Sequence, residues 1–105
     1  MEIQTVDPAT LKQWLENEEA ILIDVRSTEE FAEGHIPGAV NLPLEMCVPH
    51  ALPEAENKKL VFQCLKGKRS VTACEQCRQG LNVPFAWTLE GGIAAWESAG
   101  FEVKK

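Results

Sequence analysis

The sequence predicts an α/β domain with a central, mostly parallel sheet of about five strands and helices on both faces. Three observations predict it. Ala20–Val25 is a continuous apolar run ending in an acid, as a strand buried on both faces is, and Lys59–Gln63, with Leu60-Val61-Phe62 at its centre, reads as the next buried strand. Segments with helical spacing or helix-start signals separate the strand candidates, which implies right-handed crossovers between parallel strands. Asp24 and Cys64 then fall at strand carboxyl ends, the rim where such sheets hold ligands.

The elements follow in order. Ile3–Val6 reads as a short edge strand. Asp7-Pro8 is an N-cap followed by proline at the first helical position. Leu11, Trp14 and Leu15 then share one helix face. After the Ala20–Val25 strand, Ser27-Thr28-Glu29-Glu30 fits a capping box, with Glu30 reaching back to Ser27. That short helix stops near Gly34. Val40–Leu42 is a further short strand, and 43–56 is irregular, interrupted by Pro43, Pro49 and Pro53, with room for one helical turn. Beyond the Lys59–Gln63 strand, Ser70–Gln79 reads as a helix ended by Gly80, and Phe85–Leu89 as a strand. Gly91-Gly92 turns the chain into a last helix, Ile93–Ala99, capped by Gly100. Phe101–Val103 is positioned to close the sheet edge.

With 105 residues, 45% of them hydrophobic and 25% charged, the chain is expected to form one soluble domain over 1–105. Its net charge of −6 argues against nucleic acid or an anionic membrane as partner. No stretch is long enough to span a bilayer, and the N-terminus lacks a secretory leader pattern, so a cytoplasmic monomer is expected. Four cysteines are too few for a disulfide framework in a chain of this length; reduced thiols are their expected state.

Against the acidic background, Lys66, Lys68 and Arg69 crowd into four positions directly after Cys64. A strand ending in Cys64, a tight loop containing Gly67 and a helix opening near Ser70 together build an anion site. Successive loop N–H groups converge as a nest, and the helix adds unpaired amides and the positive end of its dipole. All of these favour thiolate over thiol, so Cys64 is expected to be a reactive nucleophile. The plainer reading is a buried cysteine ending a core strand, with lysines on a surface turn. The glycine, the clustered charges and the helix start favour the first.

Four segments in order resemble those of single-domain rhodaneses, the thiosulfate sulfurtransferase family. They are Leu22-Ile23-Asp24-Val25-Arg26, Gly34-His35-Ile36-Pro37-Gly38-Ala39-Val40-Asn41, the Cys64 loop, and Leu89-Glu90-Gly91-Gly92-Ile93-Ala94-Ala95-Trp96. The resemblance implies a rhodanese-like fold with no metal or organic cofactor. It implies that Cys64 takes a sulfane sulfur from a small anionic donor such as thiosulfate, holds it as a persulfide and passes it to cyanide, a thiol or a protein acceptor. Leu65, Lys66, Gly67, Lys68, Arg69 and Ser70 then supply the cradle, the three cations drawing in the donor. Asp24 and Arg26 either hold the loop and tune its charge, or are an aspartate capping a turn and a surface arginine paired with Glu30.

Spacing separates this chemistry from that of cysteine-dependent phosphatases, which place arginine six positions after the cysteine. Here Arg69 stands at the fifth position and Ser70 at the sixth, and the shorter cradle suits one sulfur atom. Other motifs have plainer explanations. Cys74 and Cys77 lie inside a helix, where Val71, Cys74, Cys77 or Arg78, and Leu81 form an apolar stripe expected to pack on the sheet. A zinc site from Cys47, His50, Cys74 and Cys77 has permissive spacing only. Cys47 is a candidate to resolve a Cys64 persulfide as a disulfide, although a loop cysteine without redox role is the simpler reading. His35 is expected in a structural turn, Trp14, Trp87 and Trp96 in the core, and Lys104-Lys105 at a solvated end. Two other functions compete with enzymatic sulfur transfer: an interaction module without turnover, and a persulfide carrier for a protein partner.

Overall fold

The two apolar runs pair with each other at the centre of the sheet. In the computed structural model, which describes residues 2–46, 58–65, 68–77 and 85–104, they are β2 (Ala20–Asp24) and β4 (Lys59–Gln63). They run parallel in the register Ala20↔Lys59 to Asp24↔Gln63. The remaining strands are β1 (Glu2–Val6), β3 (Val40–Asn41) and β5 (Phe85–Leu89). The order is β1-β5-β4-β2-β3, and every one of these pairings is parallel. The helices are α1 (Pro8–Glu16), α2 (Thr28–Glu33), α3 (Lys68–Cys77) and α4 (Gly92–Ser98), with a 3-10 turn at Leu44–Met46.

Strand alternation divides the core in two. Ile23, Val25, Leu60, Phe62, Cys64 and Ala86 face α3, which adds Ala73. Leu22, Val61 and Leu89 face the other way, against Leu11 of α1 and Ile93 and Trp96 of α4. Both faces are therefore covered, as the apolar runs require. Trp14 and Trp87 meet edge to face at 5.0 Å in the second layer, and the Nε1–H of buried Trp96 donates to the Glu102 carbonyl.

Local signals explain most boundaries. The capping box forms: the Glu30 amide donates to Ser27 Oγ, and the Ser27 amide to Glu30 Oε1. Asp7 takes the extended N-cap conformation without a side-chain cap bond, and Pro8 opens α1. Three expectations need correction. Helix α3 begins at Lys68, two residues before Ser70, and its expected end at Gln79-Gly80 lies outside the described residues. Val71 is exposed, while among the described side chains of α3 Ser70 and Ala73 are the buried ones. Phe101–Val103 forms no strand; Phe101 and Val103 pack by their side chains against the α1–α4 layer. Lys104 is exposed, as a solvated end is, and its backbone makes an antiparallel bridge with His35. Gly100, φ 85°, lies one residue beyond the cap position taken by Ala99.

Candidate active site

Cys64 follows the last residue of β4, and strand alternation turns its side chain toward α3. It is buried, at 1% exposure. The early start of α3 places Lys68, Arg69 and Ser70 in its first turn, where amides have no intrahelical partner. The Ser70 amide donates to Cys64 Sγ at 3.4 Å, and Ser70 Oγ lies 3.7 Å from the same sulfur. Ser70, fully buried, is thus a residue of the expected cradle that faces the sulfur. Leu65 and Lys68 are exposed, and Lys66 and Gly67 lie outside the described residues.

Arg69, expected as a donor-attracting cation, is engaged in an ion pair with α2. Its guanidinium is bidentate with Glu30, Nη1 to Oε1 at 2.8 Å and Nη2 to Oε2 at 3.0 Å. These bonds raise the Arg69 pKa further above its ordinary value, helped by the charges of Glu30, Cys64 and Asp24 and opposed by partial burial. Arg69 holds the Glu30 carboxyl down at about 2, assisted by the Ser27 donors and opposed by desolvation. The first turn of α3 is thereby tied to α2. The Ser27-x-x-Glu30 pattern announces one of the two jobs of Glu30; nothing in it announces a partner 39 residues away.

Asp24 and Arg26 also differ from the plainer expectation. Arg26 is no surface residue paired with Glu30. At 5% exposure it lies over the fully buried Asp24, with Nε 3.1 Å from Oδ1 and Nη2 2.9 Å from Oδ2. The Arg26 amide donates to Asp24 Oδ1, and its Nη2 also donates to the Gly34 carbonyl at 2.6 Å. Asn41 Nδ2 donates to the carbonyls of Asp24 and Arg26. By alternation, Asp24 shares the sheet face of Leu22, opposite to that of the Cys64 side chain. The pair braces the rim between β2, β3 and the end of α2. Beside it Gln63, fully buried, has no described hydrogen-bond partner for either amide atom.

His35 stacks on Phe31 at 3.9 Å, with Nδ1 3.0 Å from the Phe31 carbonyl oxygen. A carbonyl only accepts, so Nδ1 carries the proton in this structural turn. Cys47 and His50 lie outside the described residues, as do the side chains of Cys74 and Cys77. Among the described residues, no helix is long and apolar enough to cross a membrane.

A parallel α/β sheet with a strand-end cysteine facing the first turn of a helix defines a class of cysteine-centred α/β domains. Within that class the chain belongs to the rhodanese-like domain family, whose model matches residues 7–99. It is 41% identical over 101 residues to an uncharacterized protein of Synechocystis, covering 96% of this chain and 56% of that one. It is 32% identical to a sulfurtransferase of Allochromatium vinosum, covering 96% of this chain and 94% of that protein. The human single-domain sulfurtransferase TSTD1 superposes with a TM-score of 0.77 at 32% identity, over 90% of this chain and 95% of that one. The two relatives named sulfurtransferases support sulfur transfer of the rhodanese type.

Proposed function

We propose that the chain is a sulfurtransferase that carries sulfane sulfur on Cys64. The observation that carries this reading is the sulfur atom at the end of β4, facing the first turn of α3 and accepting the Ser70 amide. A negative charge on sulfur is stabilised at that spot by amides that have no intrahelical partner and by the helix dipole.

In the first half-reaction the Cys64 thiolate attacks the outer sulfur of thiosulfate. The new S–S bond forms as the bond to the sulfonate sulfur breaks, and sulfite leaves with that electron pair. The enzyme is left as a persulfide anion. In the second, cyanide attacks the outer sulfur; thiocyanate leaves and the Cys64 thiolate returns. A thiol acceptor, free or on a protein, attacks the same atom and becomes a persulfide itself. The added S–S bond extends the side chain by about 2 Å, bringing the transferable sulfur outward from a buried Sγ. Lys66 and Lys68 supply the positive field for an anionic donor, since Arg69 is matched by Glu30. The position six after the cysteine holds Ser70, whose hydroxyl faces the sulfur, so no guanidinium completes a phosphate cradle there.

Thiocyanate formation from thiosulfate and cyanide tests the reading. The wild-type protein is expected to turn over, and Cys64→Ser to show none. Turnover by the folded serine variant would place the sulfur elsewhere, and no turnover or persulfide in the wild type would favour a domain that binds without transferring.

A further inference from the structure

The first amides of a helix have no partner within it, so their destinations must be found elsewhere. In α4 they are the carbonyls of the candidate active-site loop. The Ile93 amide donates to the Cys64 carbonyl at 2.8 Å and the Ala94 amide to the Leu65 carbonyl at 3.1 Å. Helix α4 approaches from the sheet face of Ile93 and Trp96, opposite to the face that carries Sγ, Ala73 and α3.

A trans peptide is planar, with its C=O and the following N–H pointing in opposite directions. Drawing the Cys64 oxygen toward α4 therefore turns the Leu65 N–H away from α4, toward the face of the cysteine sulfur. The helix fixes the back of the Cys64–Leu65 peptide unit, and that sets which way its amide points.

The approach has a steric condition. Gly92 has φ 61°, and a Cβ there would run into the carbonyl oxygens of Cys64 and Leu65 and lie 2.6 Å from the Leu65 carbonyl carbon. Those atoms are backbone held in hydrogen bonds and cannot swing aside as a side chain does. At Gly100, which also has positive φ, an added Cβ would meet nothing within 4 Å. Left-handed backbone explains a glycine at either position; only at Gly92 does the cysteine loop itself demand one.

We propose that the first turn of α4 is the template on which the Cys64 anion cradle is shaped, with Gly92 as its positioning residue. The proposal rests on the sulfur-transfer reading for its consequence in turnover, but not for its geometry. Pushed off the template, the loop turns the Leu65 amide out of aim, and the sulfur loses stabilisation as an anion.

Gly92→Ala and Gly100→Ala form the test, each compared with wild type for persulfide formation from thiosulfate and for the pH dependence of iodoacetamide alkylation, read on the Cys64 peptide. Gly92→Ala is expected to slow sulfur loading about 10- to 100-fold, the scale of a displacement near 1 Å. Its alkylation midpoint is expected at higher pH. Gly100→Ala shares the backbone strain and is expected to match wild type in both. A folded Gly92→Ala with wild-type loading and midpoint overturns the proposal, as does an equal loss in Gly100→Ala. Should Gly92→Ala not fold, NMR of the wild type decides: alkylation of Cys64 is expected to shift the Ile93 and Ala94 amide signals, and unmoved signals overturn the proposal. A wild type that gains no sulfur refutes the sulfur-transfer reading, while the alkylation profiles still judge the template.

Discussion

Two arginine–carboxylate pairs stand near the carboxyl rim of the sheet and do opposite kinds of work. Asp24–Arg26 joins residues two apart and is buried at both ends, with side-chain exposures of 0% and 6%. Glu30–Arg69 joins residues 39 apart and is about one-third exposed at both ends. The buried pair has every incentive to stay closed, since separating it leaves a charge in a medium that cannot solvate it. The outer pair is screened by water and contributes about 1 kcal/mol or less, yet it lashes the first turn of α3 to α2. Burial, not hydrogen-bond count, separates a brace of the fold from an adjustable tether beside the site.

The largest expected effect breaks the brace. Asp24→Ala strands Arg26 and is expected to lower the unfolding free energy by about 3–5 kcal/mol in a urea titration. A loss under about 1 kcal/mol would show that the two pairs do not differ in kind.

The tether is expected to yield less. Glu30→Gln keeps an acceptor for the Ser27 amide, as capping boxes allow, but removes the charge facing Arg69. The expected cost is about 0.2–1 kcal/mol in the same titration. A loss as large as that of Asp24→Ala would mean that the outer pair is a second brace.

The smallest effect is the sharpest in sign. Glu30 is depressed in the folded protein from 4.5 to about 2. Its stabilisation is therefore fully present above about pH 4.5 and is lost as pH falls toward 2. The difference between wild type and Glu30→Gln is expected to shrink over that window. It is also expected to shrink in about 1 M salt, where screening acts within some 3 Å, while the effect of Asp24→Ala persists. A gap independent of pH and salt would detach it from the Arg69 charge.

Much of this arrangement is legible in the sequence, and the illegible parts share a cause. Ala20–Val25 and Lys59–Gln63 announce buried parallel strands because the short apolar runs they contain suit little else. Ser27 and Glu30 announce a helix start because the capping box is local. The partner of Glu30 is set by tertiary packing, which no short window contains. Arg26 misleads because arginine is normally exposed, and only the fold puts it over Asp24. Val71 misleads for a related reason: periodicity weights large side chains, whereas the described side chains that α3 buries are those of Ser70 and Ala73. Phe101 and Val103 have strand-like alternation but spend it on side-chain packing. The Cys64 loop is visible as a motif and Gly91-Gly92 as a turn. That the second holds the first becomes evident only when α4 is found against the carbonyls of Cys64 and Leu65.

The central claim, that Cys64 carries the sulfur, is tested most directly by intact-protein mass spectrometry before and after thiosulfate, then after cyanide, with peptide mapping. The expected result is a gain of one sulfur atom, mapped to Cys64 and lost again on cyanide treatment. A stable gain on Cys47, Cys74 or Cys77 with Cys64 unchanged would contradict it.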